Sequence, residues 1–263
     1  SYLAIASDGG FYLYDGITLT KVTDTDLGTV IDFIFIDGYF MTTDGTSLVI
    51  TELNNPFSVN PLKYGSSEVD PDPVKALLKL NNEAIALNRY TIETFNNRQT
   101  TDLFPFIRVD GAQINKGSIG THSCCVFQET VTFLGGGRKE APAIWSSVNG
   151  NTVKRSTSEI DQILSGYTET QLSTVVLEVR TYNSHDQLYI HLPDQTLVYD
   201  GTVSQATQQH VWFVLTSSVV GLSQYRARNL VYCYDKWLVG DPTSTSHGYY
   251  TDSLSSHYGD VVG

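Results

Sequence analysis

Charge, sulfur and long apolar runs are all scarce in this chain. Among 263 residues there are one Met, three Cys and eight Pro, and only 17% are Asp, Glu, Lys or Arg, against about 25% in a typical domain. The surface must therefore be carried largely by Ser, Thr, Asn, Gln and Tyr. No stretch approaches the roughly 18 apolar residues of a membrane-spanning helix. The start, Ser1-Tyr2-Leu3-Ala4, has no basic flank and no signal-peptide shape. It also lacks Met, so the chain is expected to have been processed, trimmed or cut from something longer. Lys plus Arg is 16 and Asp plus Glu is 28, a net charge of 16 − 28 = −12. The densest basic run, Arg138-Lys139, is followed at once by Glu140. General nucleic-acid binding and attraction to an anionic membrane are disfavoured accordingly. Cys124 and Cys125 are adjacent in an apolar run, where a strand points them to opposite faces. With Cys233 they read as reduced core thiols made in a cytosol, and their spacing suits no zinc site.

What is present is apolar patterning and turn chemistry. At 41% the apolar fraction excludes disorder and collagen-like repeats. Asp-Gly occurs six times, at Asp8-Gly9, Asp15-Gly16, Asp37-Gly38, Asp44-Gly45, Asp110-Gly111 and Asp200-Gly201, and Asn149-Gly150 adds a seventh turn of the same kind. Such pairs suit two-residue hairpins, whose central residues need positive φ. The runs around them, such as Phe11-Tyr12-Leu13-Tyr14 and Val30 to Ile36, read as short strands. Strand–turn–strand units appear around 38–53, 82–97, 129–147, 186–201 and 235–253, with a partial one at 2–16. Their starts are 44, 47, 57 and 49 residues apart. A period of roughly 40 to 50 residues is that of a β-propeller with four strands per blade. The expectation is all-β: a single propeller domain over 1–263 with about six blades, a β-sandwich pair being the structural alternative. One or two short helices are expected in a connection at Ser158–Val176, with Ser158 as N-cap and Thr168 with Gln171 as a capping box. The stretch Asn54–Pro73, rich in Pro, Ser and Asn, reads as a long inter-blade loop, because Asp70-Pro71-Asp72-Pro73 cannot continue a ladder. Such a loop is also a candidate contact surface.

A search for chemistry nominates no catalytic, cofactor-binding or metal-ligating residue. Gly135-Gly136-Gly137-Arg138-Lys139 lacks the phosphate-loop spacing and reads as a flexible hairpin loop. Ser184-His185-Asp186 holds the residue types of a triad, but sequence neighbours cannot form that relay, and a turn is expected. His191, in Tyr189-Ile190-His191-Leu192-Pro193, reads as a hydrogen-bonded structural histidine. His247 and His257 stand ten apart, which is weak metal spacing. Asp24-Thr25-Asp26-Leu27-Gly28 lacks the third ligand and the later glutamate of a calcium loop. The 16 tyrosines suit packing more than a sugar-binding surface, and no pair of carboxylates is singled out for glycoside hydrolysis.

At the unit near Asp186 a family likeness emerges. Ser184-His185, Leu188, Ile190-His191-Leu192-Pro193 and Leu197-Val198-Tyr199-Asp200 resemble a segment of the packaged-DNA stabilisation proteins of short-tailed, Salmonella-type phages, the tail-hub or head-completion proteins. The likeness runs in order along the chain. It takes in Asp44-Gly45-Thr46, Ile50-Thr51, Leu53, Thr91-Ile92-Glu93, Phe95, Lys116-Gly117 and Gly120-Thr121. It continues through Tyr167-Thr168, Trp212, Val214-Leu215, Gly240-Asp241, Ser255-Ser256 and Tyr258. The resemblance implies a propeller and a non-enzymatic virion protein, assembled as a homo-hexamer in the tail and made in the host bacterial cytoplasm. It implies a place below the portal and its adaptor ring, with the tail needle and tailspikes as partners, and a task of plugging the channel against DNA leakage. The chain is shorter than such proteins and is expected to be a core that starts inside an early blade and lacks both ends. No contact residue is transferred. A carbohydrate-binding or glycoside-active propeller, and a scaffold for host proteins, are the alternatives.

Overall fold

The structure is a computed structural model that describes residues 1–67, 72–98, 103–148, 150–218, 220–253, 256–257 and 260–261. Six antiparallel sheets follow one another along the described residues. The first holds β1 (Leu3–Ser7), β2 (Gly10–Tyr14) and β3 (Leu19–Lys21). The second holds β4 (Asp32–Ile36), β5 (Tyr39–Thr43), β6 (Ser47–Glu52) and β7 (Asn55–Ser66). The third holds β8 (Val74–Leu80), β9 (Glu83–Asn88), β10 (Ile92–Asn97) and β11 (Phe106–Arg108). The fourth holds β12 (Gly117–Ser118), β13 (Cys124–Phe127), β14 (Thr130–Gly136), β15 (Ala143–Val148) and β16 (Asn151–Lys154). The fifth holds β17 (Val176–Tyr182), β18 (His185–His191), β19 (Thr196–Asp200) and β20 (Trp212–Leu215). The sixth holds β21 (Arg228–Cys233), β22 (Lys236–Gly240) and β23 (His247–Tyr249). A last hairpin pairs β24 (Ser256–His257) with β25 (Asp260–Val261). Apart from β12 and β13, which both pair with β14, each of the six is a plain meander. Four of the sequence units coincide with a sheet's middle hairpin, from β5–β6 to β18–β19, the fifth is β22–β23, the last hairpin of the three-stranded sixth sheet, and the partial unit is β1–β2. Contacts divide the chain into two compact units, Ser1–Gly166 and Tyr167–Gly263.

In the first unit the sheets are stacked through apolar layers. Ile34, Ile36, Met41 and Leu48 of the second sheet meet Leu77, Ala84, Ala86 and Phe95 of the third. The opposite face of the third sheet sends Ala76, Ile85 and Leu87 against Cys124, Val131 and Phe133 of the fourth. A strand covered on both faces reads as a continuous apolar run, which is why Ala84-Ile85-Ala86-Leu87 shows no polar alternation. The adjacent cysteines do point to opposite faces: Cys124 is buried and Cys125 half-buried. Cys233 is also only half-buried, so Cys124 alone is a core thiol, and no disulfide joins the three.

The Asp-Gly pairs are of several kinds. Asp8-Gly9 and Asp37-Gly38 are the expected hairpins, with φ of 50° and 73° and of 50° and 85°. Asp15 and Asp44 are not in the left-handed region. The Asp15 Oδ1 instead accepts from the amides of Ile17 and Thr18 at 2.8 and 2.7 Å, and the Asp44 Oδ1 from Thr46 and Ser47 at the same distances. Aspartate here caps the turn with its side chain. Asp110-Gly111 follows β11 without closing a two-residue hairpin, and only its glycine has positive φ. Asn149 lies outside the described residues. Three further hairpins form without glycine, at Gln128-Glu129, Asn183-Ser184 and Tyr234-Asp235, each with both central φ positive.

Two stretches expected as loops are strands. Asn55–Ser66 of the supposed Asn54–Pro73 loop forms β7, while Asp70 and Pro71 lie outside the described residues. The β6–β7 ladder breaks register twice, jumping from Val49↔Tyr64 to Thr51↔Val59 and then to Glu52↔Asn55. Pro56 and Pro61 fall in those gaps, where no ladder donor is needed, and Val59 is pinned by burial between the first two sheets. Gly135 and Gly136 likewise belong to β14, and the turn begins only after them.

The helices come nearly as expected. α1 (Ser158–Ser165) is capped by Thr157, the last residue in extended conformation, so Ser158 is its first helical residue and not the N-cap. α2 (Glu169–Leu172) carries the capping box: the Thr168 hydroxyl accepts from the Gln171 amide and the Gln171 side chain accepts from the Thr168 amide. Thr168→Ala is expected to cost about 1 kcal/mol, read as a lower urea midpoint at unchanged slope. α3 (Gly201–Thr207) was not expected. Asp200 is its N-cap, its side chain accepting from the Val203 amide, so Asp200-Gly201 opens a helix and does not close a hairpin.

Candidate functional site

The chemistry-bearing side chains of the second unit gather between its two sheets. Alternate residues of β17, Glu178, Arg180 and Tyr182, share one face, and that face meets the sixth sheet. Glu178 is the hub. Its Oε1 accepts from the Leu230 amide at 2.9 Å, and its Oε2 accepts from the Asn229 amide at 3.1 Å. Oε2 also lies 2.9 Å from His191 Nε2. Asn229 and Leu230 form a bulge in β21, between the pairs Arg228↔Gly240 and Val231↔Leu238. Asn229 there has φ 57°, a conformation asparagine tolerates. The other His191 nitrogen, Nδ1, is 3.1 Å from the Thr196 hydroxyl. Arg228 donates to the Leu192 carbonyl at 3.2 Å, and Arg180 stacks over the rings of Tyr182 and Tyr250 at 4.4 and 4.0 Å. The His191 side chain is 0% exposed. Burial pushes its pKa below the ordinary value, against the pull of Glu178. Burial also lowers the Arg228 pKa and raises that of Tyr250 far out of the working range.

This arrangement can bind sheets together; its one hydroxyl-to-imidazole contact, Thr196 with His191, is closed off from solvent, both residues being buried. Among the described residues no three His, Cys, Asp or Glu come together as metal ligands. His191 is thus the hydrogen-bonded histidine that its strand context suggested. Sequence reading missed Glu178 and Arg228. The available signal was Glu178-x-Arg180 alternating inside an apolar strand; the bulge that meets it lies 52 residues on.

The other candidates resolve individually. In Ser184-His185-Asp186 only Ser184 is in the turn, with φ 63°; His185 and Asp186 open β18. The carboxylate at His185 is not Asp186 but Asp200, 2.7 Å from Nδ1. Asp186 accepts from the Thr181 hydroxyl at 2.8 Å. Asp24 uses both oxygens on backbone, Oδ1 for the Asp26 amide and Oδ2 for the Val59 amide, so it ties β7 to the turn at Thr25–Leu27. His247 is exposed at the start of β23, and the side chain of His257 lies outside the described residues. Asp241 is the most heavily solvated by protein. It accepts from Arg226 Nη2 at 2.6 Å, from the Thr243 amide and hydroxyl at 2.9 and 2.7 Å, and from Ser244 at 2.9 Å.

These donors, Arg226 first, hold the Asp241 carboxyl well below the usual carboxylate range. A depressed folded pKa gives stability that is present above the unfolded value of 3.8 and lost as pH falls below it. Asp241→Asn is therefore expected to lower stability at neutral pH and to flatten the acid limb. Urea midpoints from about pH 7 to about pH 3 test this; an unchanged acid limb would remove Asp241 from it.

The first unit contains a cavity of about 620 Å³ between its first two sheets, lined by Tyr2, Leu3, Phe33, Phe35, Phe40 and Pro56 among others. Ala4, a small residue of the first sheet packed in the same layer as Phe33 and Phe40, lines this space and leaves it open. Its lining has no charged side chain, so it offers shape and no acid–base chemistry.

Comparison with known proteins gives three findings. A family model described as the β-propeller of bacteriophage P22 Gp10 matches residues 1–255. The tail hub protein gp10 of Salmonella phage P22 is 28% identical over 262 residues, covering 94% of this chain and 54% of that protein. The chain thus spans about half the length of the curated relative it matches. Among solved structures, the extracellular domain of a putative hybrid two-component system from B. thetaiotaomicron superposes with a TM-score of 0.53 at 10% identity, over 99% of this chain and 33% of that one. At that identity the likeness concerns the fold alone.

Proposed function

Because the chain belongs to the phage-stabilisation family, that of the P22 Gp10 β-propeller, we propose that it is a structural, non-enzymatic part of a phage tail. The fold class is accordingly the β-propeller, with the six sheets as blades. In the proposed role the propeller belongs to a tail hub below the portal and its adaptor ring. There it extends and plugs the channel, keeps packaged DNA in the head and supports the needle and tailspikes. The observation that carries this reading is the family match along residues 1–255, joined by the identity to a tail hub protein. The physics supports it. A conduit for DNA works best without phosphate traps, and a chain of net charge −12 repels phosphate. A virion part also needs persistence more than turnover. Sheets covered on both faces and clasped by partly buried carboxylates supply that persistence.

Electron microscopy of the cognate portal–adaptor complex tests the proposal, with and without the full-length protein and with this chain alone. The expected result is new sixfold density below the adaptor when the full-length protein is added. Density with the full-length protein only would assign the assembly contacts to segments outside this chain. No density from either would overturn the hub role.

A further inference from the structure

We propose that Glu178 and His191 form an acid-sensitive latch that holds the first strand of the sixth sheet against the fifth. The latch is the three-way use of one carboxylate: Leu230 amide at 2.9 Å, Asn229 amide at 3.1 Å and His191 Nε2 at 2.9 Å. An ionised carboxylate only accepts, so Nε2 carries the imidazole proton, and Nδ1 is left to accept from the Thr196 hydroxyl. That neutral tautomer satisfies both ring nitrogens. A second proton would have to enter on Nδ1, against the Thr196 hydroxyl bond, in a layer that already holds two guanidiniums.

The charged and titratable groups facing His191 come from each neighbouring strand. β17 contributes Glu178 and, two residues on, Arg180. β21 contributes Arg228, whose charge opposes protonation. On its own strand the Tyr189 ring stacks 6.1 Å away. Tyr225 and Tyr250 lie in the same layer, hydrogen-bonded to each other at 2.9 Å, and burial keeps Tyr250 neutral. Desolvation is the largest influence on His191 and outweighs Glu178. The closed layer therefore takes up a proton less readily than an opened one, in which the imidazole returns to its ordinary value of about 6.5. Opening is then coupled to uptake of one proton. Its equilibrium rises up to about tenfold per pH unit as pH falls below about 6.5, until the depressed pKa is reached.

The second sheet provides an internal control. The Asp32 carboxylate clasps the third sheet in the same way, accepting from the Leu77 amide at 2.8 Å beside the β8 bulge. Burial raises the Asp32 pKa, outweighing the amide hydrogen bonds from Leu77 and Phe33 that favour the carboxylate. The closed form there binds a proton more readily than the open one. Acid should leave the Leu77 clasp unchanged or tighten it.

Amide exchange followed by NMR on the labelled chain, from about pH 7.5 to about 5.5 and corrected for intrinsic rates, tests the latch. Protection at Asn229 and Leu230 is expected to fall by up to about tenfold below pH 6.5, while that at Leu77 does not. His191→Gln, which keeps a donor toward Glu178, should abolish the slope. Should that variant not fold, the ring-proton titration of His191 in the unmodified chain decides. An imidazole titrating below its ordinary value supports the latch. Flat protection at Asn229 and Leu230, a slope that survives His191→Gln, or an imidazole titrating at or above the ordinary value overturns it.

Discussion

Replacing Gly135 by alanine is expected to cost about 3–5 kcal/mol of folding stability, near the top of the range for a single substitution. The reason is a stack of three backbones. An alanine Cβ at Gly135 would lie 1.9 Å from the Gly117 carbonyl oxygen, and one at Gly117 would lie 2.1 Å from the Asn88 carbonyl oxygen and 2.7 Å from the Tyr90 nitrogen. All these neighbours are main chain, so no rotamer can yield. β12 is pressed between β14, with which it pairs at Gly117↔Gly136 and Ser118↔Gly135, and the corner after β9. The requirement is for space, because neither glycine has positive φ. Gly136→Ala makes the matched control, since its nearest contact is the Ala141 carbonyl at 3.3 Å. Urea unfolding of both variants is the measurement. A Gly135→Ala midpoint equal to that of Gly136→Ala would sink the explanation.

That pair of glycines also marks a limit of reading the sequence. Gly135-Gly136-Gly137 has the composition of a flexible loop, and its true cause is a strand more than a dozen residues earlier, visible only once the sheets are stacked. Where the cause is local, the residues told the truth. Asp8-Gly9 and Asp37-Gly38 turn as their chemistry demands, and Thr168 and Gln171 make their box. The hairpin units fall one in each of the six sheets and miss the β24–β25 pair. Where two local devices compete for the same residues, sequence could not choose between them. Asp200-Gly201 serves as a helix N-cap and not as a turn, and Asp15 and Asp44 cap turns with side chains. The Glu178–His191 layer was the least legible part. Its members lie on β17, β18 and the β21 bulge, and nothing in the spacing of Glu178 and Leu230 predicts a contact. The prolines of β7 misled in the opposite sense, because register gaps admit them into an outer strand.

Phe133→Ala is the other substitution expected to cost about 3–5 kcal/mol. Phe133 is 0% exposed and packs in the layer with Ile85, Leu87, Ile92 and Val131. Its cross-strand neighbours are Cys124 on β13 and Trp145 on β15. The cost of a large-to-small change depends on how far the surroundings can collapse. Here they are held: β14 pairs with β12, β13 and β15 at once, and the glycine stack fixes its distance from the third sheet. Phe133→Leu, which keeps most of the volume, is expected to cost less than about 1.5 kcal/mol. Phe133 and Gly135 lie two positions apart on one face of the same strand, so their effects should not add. Once Gly135→Ala has pushed β14 and β12 apart, the layer around Phe133 has already loosened, and removing the ring costs less. A double-mutant cycle by urea unfolding is expected to show a total short of the sum by about 1 kcal/mol or more. Strict additivity would mean that the glycine contact and the apolar layer act independently, and that β14 is free to settle onto its neighbours after either loss.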